Sequence, residues 1–221
     1  MMCHVRYTAG LMLFLSGGAA LIYQVVWVRL LGLTIGATAV GVAAVLTAFF
    51  GGMAIGSLIA HARLHRGAAG LKEFALAEGV TAISALLLLP LLFNLDTLLA
   101  WLPATGSDSP LHFMLALALL LIPSAAIGST FAFLTSWLSP RQPRQGESIS
   151  SLYTLNTLGA VCGALLAGFW LIPQQGLDGA LYTAVVINTG VVVIALWLVK
   201  NERNEEPTRL NATTQKNYVE G

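Results

Sequence analysis

Charge is what this sequence has least of. Asp, Glu, Lys and Arg together make up 10% of its 221 residues, against roughly 25% in a soluble domain. Hydrophobic residues make up 57%. A soluble fold of that composition would lack the polar side chains to cover its surface, which points instead to a polytopic membrane protein with the lipid bilayer as its main partner. The net charge of +1 leaves no basic domain, so no nucleic acid is expected as a partner. Cysteine is nearly missing as well. Cys3 sits at the N-terminus and Cys162 inside an apolar run. They suggest no disulfide framework and have no partners for a metal site, so both read as free thiols.

Catalytic signatures of soluble enzymes are missing too. There is no phosphate-cradling glycine loop followed by Lys-Ser or Lys-Thr, no G-x-S-x-G elbow and no G-x-G-x-x-G turn. No span carries the histidine pair that haem ligation would need. A non-enzymatic protein without metal or cofactor is the expectation.

Long apolar runs are what the chain does have. Six of them, near 8–33, 36–60, 72–95, 111–138, 149–173 and 178–200, reach the ~20 residues that a helix needs to cross a bilayer. The pattern predicts an all-α, six-helix transmembrane domain over 1–200 and a polar, flexible tail over 201–221. The first run opens like a signal peptide but continues through "LIYQVVWVRLLGL". That is longer than a typical signal h-region, so a retained first helix is expected.

Charge then orients the spans. With the N-terminus in the cytoplasm, Arg6, Arg63, Arg66, Lys72, Arg141, Arg144, Lys200, Arg203, Arg209 and Lys216 all fall on the cytoplasmic side; of the eleven Lys and Arg, only Arg29 does not. The opposite connections, around Thr34, 96–110 and 174–177, have none. This asymmetry follows the positive-inside rule and predicts that both termini are cytoplasmic. Trp27, Trp101 and Trp170 are expected near the outer interface, Trp137 and Trp197 near the inner one.

Small residues recur at a spacing of four: Ala48, Gly52, Gly56 and Ala60 in the second span, Gly159, Gly163 and Ala167 in the fifth. Such stripes let helix backbones approach closely. Packing within the chain is the plain reading, and a dimer interface the other. Pro90 and Pro123 each remove a backbone donor and should bend the third and fourth spans.

Polar groups inside a span usually face protein or water. The candidates are Gln24, Arg29, Glu78, Asn156 and Asn188. At 1.5 Å per residue, Glu78 lies roughly 9 Å and Asn156 roughly 10 Å inside the cytoplasmic ends of their helices. Tyr153 is one turn nearer the cytoplasm. These three share a level and can hydrogen-bond if their helices face each other. Two roles stay open for Glu78: binding a cation or proton, or tying helices together. Arg29 either snorkels to the outer headgroups or pairs with Asp96. Gln24 should face another helix, and Asn188 should act as packing glue behind Ala180 and Ala184. His61 and His65 have the spacing of two ligands on a helix, but no third ligand is near.

Three blocks taken together resemble one family: "FLSGGAALIYQVVWVRLLGLTIGAT" (14–38), "AFFGGMAIGSLIA" (48–60) and "SLYTLNTLGAVCGALLAGFWLIPQQGLDGA" (151–180). They are similar to the membrane part of the bacterial fused major-facilitator/spermidine-synthase family, with similarity from about residue 10 to 200. The resemblance implies a module like half of a major-facilitator transporter, in a bacterial inner membrane, commonly followed by a cytoplasmic aminopropyltransferase-like domain. The nucleoside-binding motif of that domain is absent here. Gly128-Ser129-Thr130-Phe131-Ala132 stands where relatives tend to have Gly-Ala-Thr-Leu-Pro, and Ala60 stands where the major-facilitator loop signature has an aspartate.

The leading expectation is therefore a non-enzymatic membrane module that associates with a separate partner chain, such as an aminopropyltransferase-like protein. Tyr23, Gln24, Trp27 and Arg29, together with the Glu78–Asn156 level, are its candidate polar contacts. The alternatives are a half-transporter that forms a homo-oligomer and moves a small, cationic solute past Glu78, and a structural accessory subunit of a larger membrane complex.

Overall fold

The computed structural model describes residues 2–35, 38–67, 70–95, 97, 110–138 and 145–219, and all the secondary structure among them is helical. The elements are α1 (Met2–Ile35), α2 (Ala39–His65), α3 (Gly70–Phe93), α4 (Pro110–Leu138), α5 (Gln145–Leu166), a π-helical turn (Ala167–Leu171) and α6 (Ile172–Val219). Local chemistry sets the ends of α2. The Gly41 amide donates to Thr38 Oγ1 at 3.1 Å, a side-chain cap for an otherwise orphan N–H. At the other end Gly67 takes φ 82° and its amide donates to the Leu64 carbonyl at 3.0 Å, a glycine helix stop.

Among the described residues, five helices are long and apolar enough to cross a membrane: Val5–Leu33, Gly41–His65, Gly70–Phe93, Met114–Leu138 and the 54-residue stretch Ile149–Glu202. The first four match the first four expected spans. The expected spans near 149–173 and 178–200 both fall within the fifth. As one straight helix it would be about 80 Å long, against a hydrocarbon core of ~30 Å. It is not straight. Gly176 interrupts it with φ 76° and ψ −178°, a conformation that essentially only glycine adopts.

The two arms of that stretch return to the same end of the bundle. Near its start Arg6 Nη2 donates to Ser151 Oγ at 3.2 Å, and near its finish Trp137 Nε1 donates to Glu202 Oε1 at 3.1 Å. The buried apolar residues agree. One cluster, here called the near cluster, holds Ala9, Leu13, Ala60, Phe74, Leu134, Leu152 and Val191. The far cluster holds Val26, Leu31, Val45, Leu92, Ala116, Leu171 and Leu181. Leu152 and Val191 thus lie near, Leu171 and Leu181 far, and Gly176 sits at the turn between them.

Two helix pairs pack backbone on backbone. In α2, a Cβ on Gly56 would overlap the Ala125 carbonyl oxygen, and one on Gly52 would stand 2.6 Å from Ser124 Cβ and 3.4 Å from the Leu121 oxygen. In α5, a Cβ on Gly159 would overlap the Phe14 oxygen, and one on Gly163 the Gly18 oxygen. Both pairs are parallel, since the residue numbers in contact rise together along the two helices. The glycine stripes are thereby used inside the chain.

The two seams are copies of each other. Gly52-x3-Gly56-x3-Ala60 recurs as Gly159-x3-Gly163-x3-Ala167, 107 residues later (52 to 159, 56 to 163). Their partners keep the same offset, from Phe14 to Leu121 and from Gly18 to Ala125. The buried face of α3, Phe74, Ala77 and Thr81, maps at this offset onto Leu181, Ala184 and Asn188 of α6. The direction, however, is reversed: α1 starts in the near cluster with Ala9, whereas α4 starts in the far cluster with Ala116 and finishes in the near one with Phe133. Helices α1–α3 and α4–α6 are inverted-topology repeats.

The backbone stays helical to Val219, through the segment expected to be a flexible tail. "KNERNEE" is rich in good helix formers, which lets α6 continue past its apolar part.

Candidate functional site

Between the two apolar clusters lies a layer of buried polar side chains: Ser16 of α1, Glu78 and Thr81 of α3, Ser129 and Thr130 of α4, and Asn188 of α6. On each helix the layer falls at the boundary between clusters, as with Leu13 on one side of Ser16 and Ala19 on the other. It therefore sits midway along the bundle. Three of its hydroxyls are satisfied by their own helices. Thr81 Oγ1 donates to the Ala77 carbonyl at 3.0 Å, Ser129 Oγ to Ala126 at 2.7 Å and Thr130 Oγ1 to Ile127 at 2.8 Å.

Glu78 is the exception. It is 1% exposed, and Ser16 Oγ donates to its Oε1 across the α1–α3 contact. No second protein donor reaches it among the described residues. No described cation does either: Arg6, Arg29, His61, Arg63, His65, Arg66, Lys72 and Lys200 are all exposed, and Arg63 pairs with Glu73 at 2.9 Å at the bundle's end.

The layer and its far side hold orphans. Tyr23 and Trp27 stack with ring centroids 5.4 Å apart and planes 13° apart, and Phe49 leans on Trp27 at 6.4 Å. Among the described residues, the Tyr23 hydroxyl, Trp27 Nε1, Ser124 Oγ and Asn188 Oδ1 are buried without a hydrogen-bond partner. Leaving such a group unpaired costs about 1–3 kcal/mol, so these atoms mark where a polar guest, water or solute, gains most.

The expected level of Glu78, Tyr153 and Asn156 is not assembled. The main neighbours of α3 are α4 and α6, while that of α5 is α1. Asn156 is half-buried and presses on the backbone of Gly17. Tyr153 is exposed and meets Phe131 edge-on at 5.9 Å. Gln24 is buried, as expected of a span amide facing protein, and so is Asn188. Arg29 is exposed; Asp96, its partner in one of the two readings, lies outside the described residues, as do Arg141, Arg144 and Trp101. Trp27, expected near the outer interface, is fully buried in the far cluster, because the stripe of Ala9, Leu13, Ser16, Ala20, Tyr23 and Trp27 faces the inside of the bundle. Trp170 and Trp197 are exposed, while Trp137 is buried and bonded to Glu202. The His61 and His65 rings lie 4.3 Å apart edge-on, and no group of three metal-ligating side chains occurs among the described residues.

Ser16 is the residue that sequence reasoning missed. The signal was available: Ala9, Leu13, Ser16, Ala20, Tyr23 and Trp27 recur at helical spacing and form the buried stripe of α1. A serine in such a stripe needs a partner on a neighbouring helix or in its own backbone.

The fold defines an all-helical protein whose long apolar helices fit a membrane-embedded chain. Compared with family models, with curated proteins and with solved structures, the chain matches none.

Proposed function

We propose that this chain is a non-enzymatic, six-span integral membrane module of the inner membrane, with both termini cytoplasmic, that works as one half of a transporter for a small solute. The observation that carries this reading is the inverted repeat, α1–α3 against α4–α6, with a buried polar layer at its middle. Secondary transporters are built from such repeats and keep their sites near the bilayer midplane at the repeat interface. Unpaired polar atoms at Tyr23, Trp27 and Asn188 support a site that accepts a guest. A full major facilitator joins two six-helix halves, so this half is expected to work with a second copy.

The resemblance of 14–38, 48–60 and 151–180 to the fused major-facilitator/spermidine-synthase family supports a second reading. In it the module holds a separate cytoplasmic aminopropyltransferase-like chain. One experiment separates the two. The protein is purified from its native host in mild detergent, and the intact assembly is weighed and its components identified. A dimer of this chain alone supports the half-transporter. A stoichiometric soluble synthase-like chain supports the second reading. A monomer with no companion defeats both.

A further inference from the structure

A carboxyl group closed inside the bundle by one hydroxyl poses a question of charge. An ionised carboxylate in a dry interior needs several donors or a counter-ion, and its desolvation is far larger than that of the neutral acid. Glu78 has Ser16. Among the described residues, the groups packed around it add nothing charged. From α1 the nearest titratable side chain on the buried stripe is Tyr23, two helical turns from Ser16. From α6 the layer offers Asn188, and from α4 Ser129 and Thr130, all uncharged. On α3 itself Lys72 is exposed and Glu73 pairs with Arg63, both near the helix start.

We propose that Glu78 is a proton-exchange site. In the closed arrangement described here it is a neutral carboxylic acid: Oε1 accepts from Ser16 and the proton stays on Oε2. When the polar layer opens to water, the O–H bond of the acid breaks, the proton passes to a water molecule and the electron pair stays on the carboxylate. Reclosure requires the proton back, because the closed interior solvates only the neutral form. Opening the module thereby releases one proton, and closing it binds one. The site rests on the half-transporter reading for its role in coupling, and on the geometry of Ser16 and Glu78 for its existence.

The test is labelling with dicyclohexylcarbodiimide, an apolar reagent that partitions into the membrane and reacts with protonated carboxyl groups. The acid adds across a C=N bond, its proton going to nitrogen and its oxygen to carbon, and the product rearranges to an acylurea, so the whole reagent is gained and nothing leaves. The full chain in lipid vesicles is treated at neutral pH and the adduct located by mass spectrometry of fragments. One adduct on Glu78 is expected, lost in alkaline medium, lost in Glu78→Gln, unaffected by sodium, and formed severalfold faster in Ser16→Ala, where the closing hydroxyl is gone. No adduct on Glu78 in vesicles, while denatured protein labels, overturns the proposal. So does protection by sodium, which would make this a metal-cation site. An unchanged rate in Ser16→Ala overturns Ser16 as the closing group. Transport is scored separately: labelling as expected without solute uptake by any reconstituted assembly leaves the proton site standing and defeats the transporter reading.

Discussion

Gly163 lies on the backbone of Gly18, so close that a Cβ added to Gly163 would stand 2.7 Å from both the carbonyl carbon and Cα of Gly18, and nearer still to its oxygen. Gly56 bears the same relation to Ala125 in the other repeat. In lipid no hydrophobic force drives helices together, so dispersion and weak Cα–H···O contacts across such seams hold the bundle. A methyl group at either glycine forces the backbones apart.

The first prediction follows. Gly163→Ala and Gly56→Ala should each destabilise the protein by about 1–3 kcal/mol, the usual range for overpacking. Gly190→Ala is the control. Nothing lies within 4 Å of its added Cβ, and alanine in a helix gains roughly 0.5–1 kcal/mol over glycine. Thermal unfolding in one detergent measures all three. Equal melting temperatures for Gly163→Ala and Gly190→Ala would mean that the α1–α5 seam is not close-packed.

The Ser16–Glu78 bond should also be visible as stability. Ser16→Ala leaves the buried carboxyl without its donor, which costs about 1–3 kcal/mol. Glu78→Gln keeps the shape of the side chain and changes its chemistry. If the two residues act as a unit, the double variant should be less destabilised than the sum of the singles, with a coupling of about 0.5–3 kcal/mol. Denaturant titration of the four proteins in the same lipid–detergent mixture reads the cycle. Strict additivity would show that the bond contributes nothing.

The orientation of the bundle gives a third prediction. The near end carries Arg6, Arg63, Arg66 and Lys200, and the turn at Gly176 lies at the far end. In a background lacking Cys3 and Cys162, Arg66→Cys should react with an impermeant charged maleimide only after the membrane is opened. Gln174→Cys should react in intact cells. Labelling of both from the same side would mean that the 149–202 stretch does not cross twice, and with it the six-span topology would fall.

The chain's class and most of its helices were legible in the sequence. Apolar runs of 20 residues or more have few other uses, and the stripes at Gly52, Gly56, Gly159 and Gly163 announced close backbone packing. Which helices would pair was not legible. Spacing places Glu78 and Asn156 at one depth but carries no azimuth between helices, and α5 packs on α1 rather than facing α3. The repeat was within reach, since two G-x3-G-x3-A stripes lie 107 residues apart (52 to 159), yet only the fold shows that their partners share the offset with direction reversed. That the Trp27 ring turns into the bundle was not foreseen, because tryptophan's preference for interfaces carries no azimuth, while the helical stripe Ala20, Tyr23, Trp27 does.

The turn at Gly176 gives the last prediction. Its φ of 76° with ψ of −178° lies where a side chain meets its own backbone, and a non-glycine residue held there costs of order 1–3 kcal/mol. An added Cβ would also stand 2.8 Å from Asp178 Oδ1. Just past the turn, Thr183 Oγ1 lies 3.3 Å from Gln175 Oε1 and 3.0 Å from the Gly179 carbonyl, either of which can accept its proton. Gly176→Ala should therefore lower stability by about 1–3 kcal/mol and increase protease nicking near 174–178 in right-side-out cells. Gly168→Ala, in the π-helical turn, is the matched control, because its φ is not positive and nothing lies within 4 Å of an added Cβ. If both variants melt together and resist protease equally, the chain reverses without help from a glycine, and the hairpin described for 149–202 is wrong at its tip.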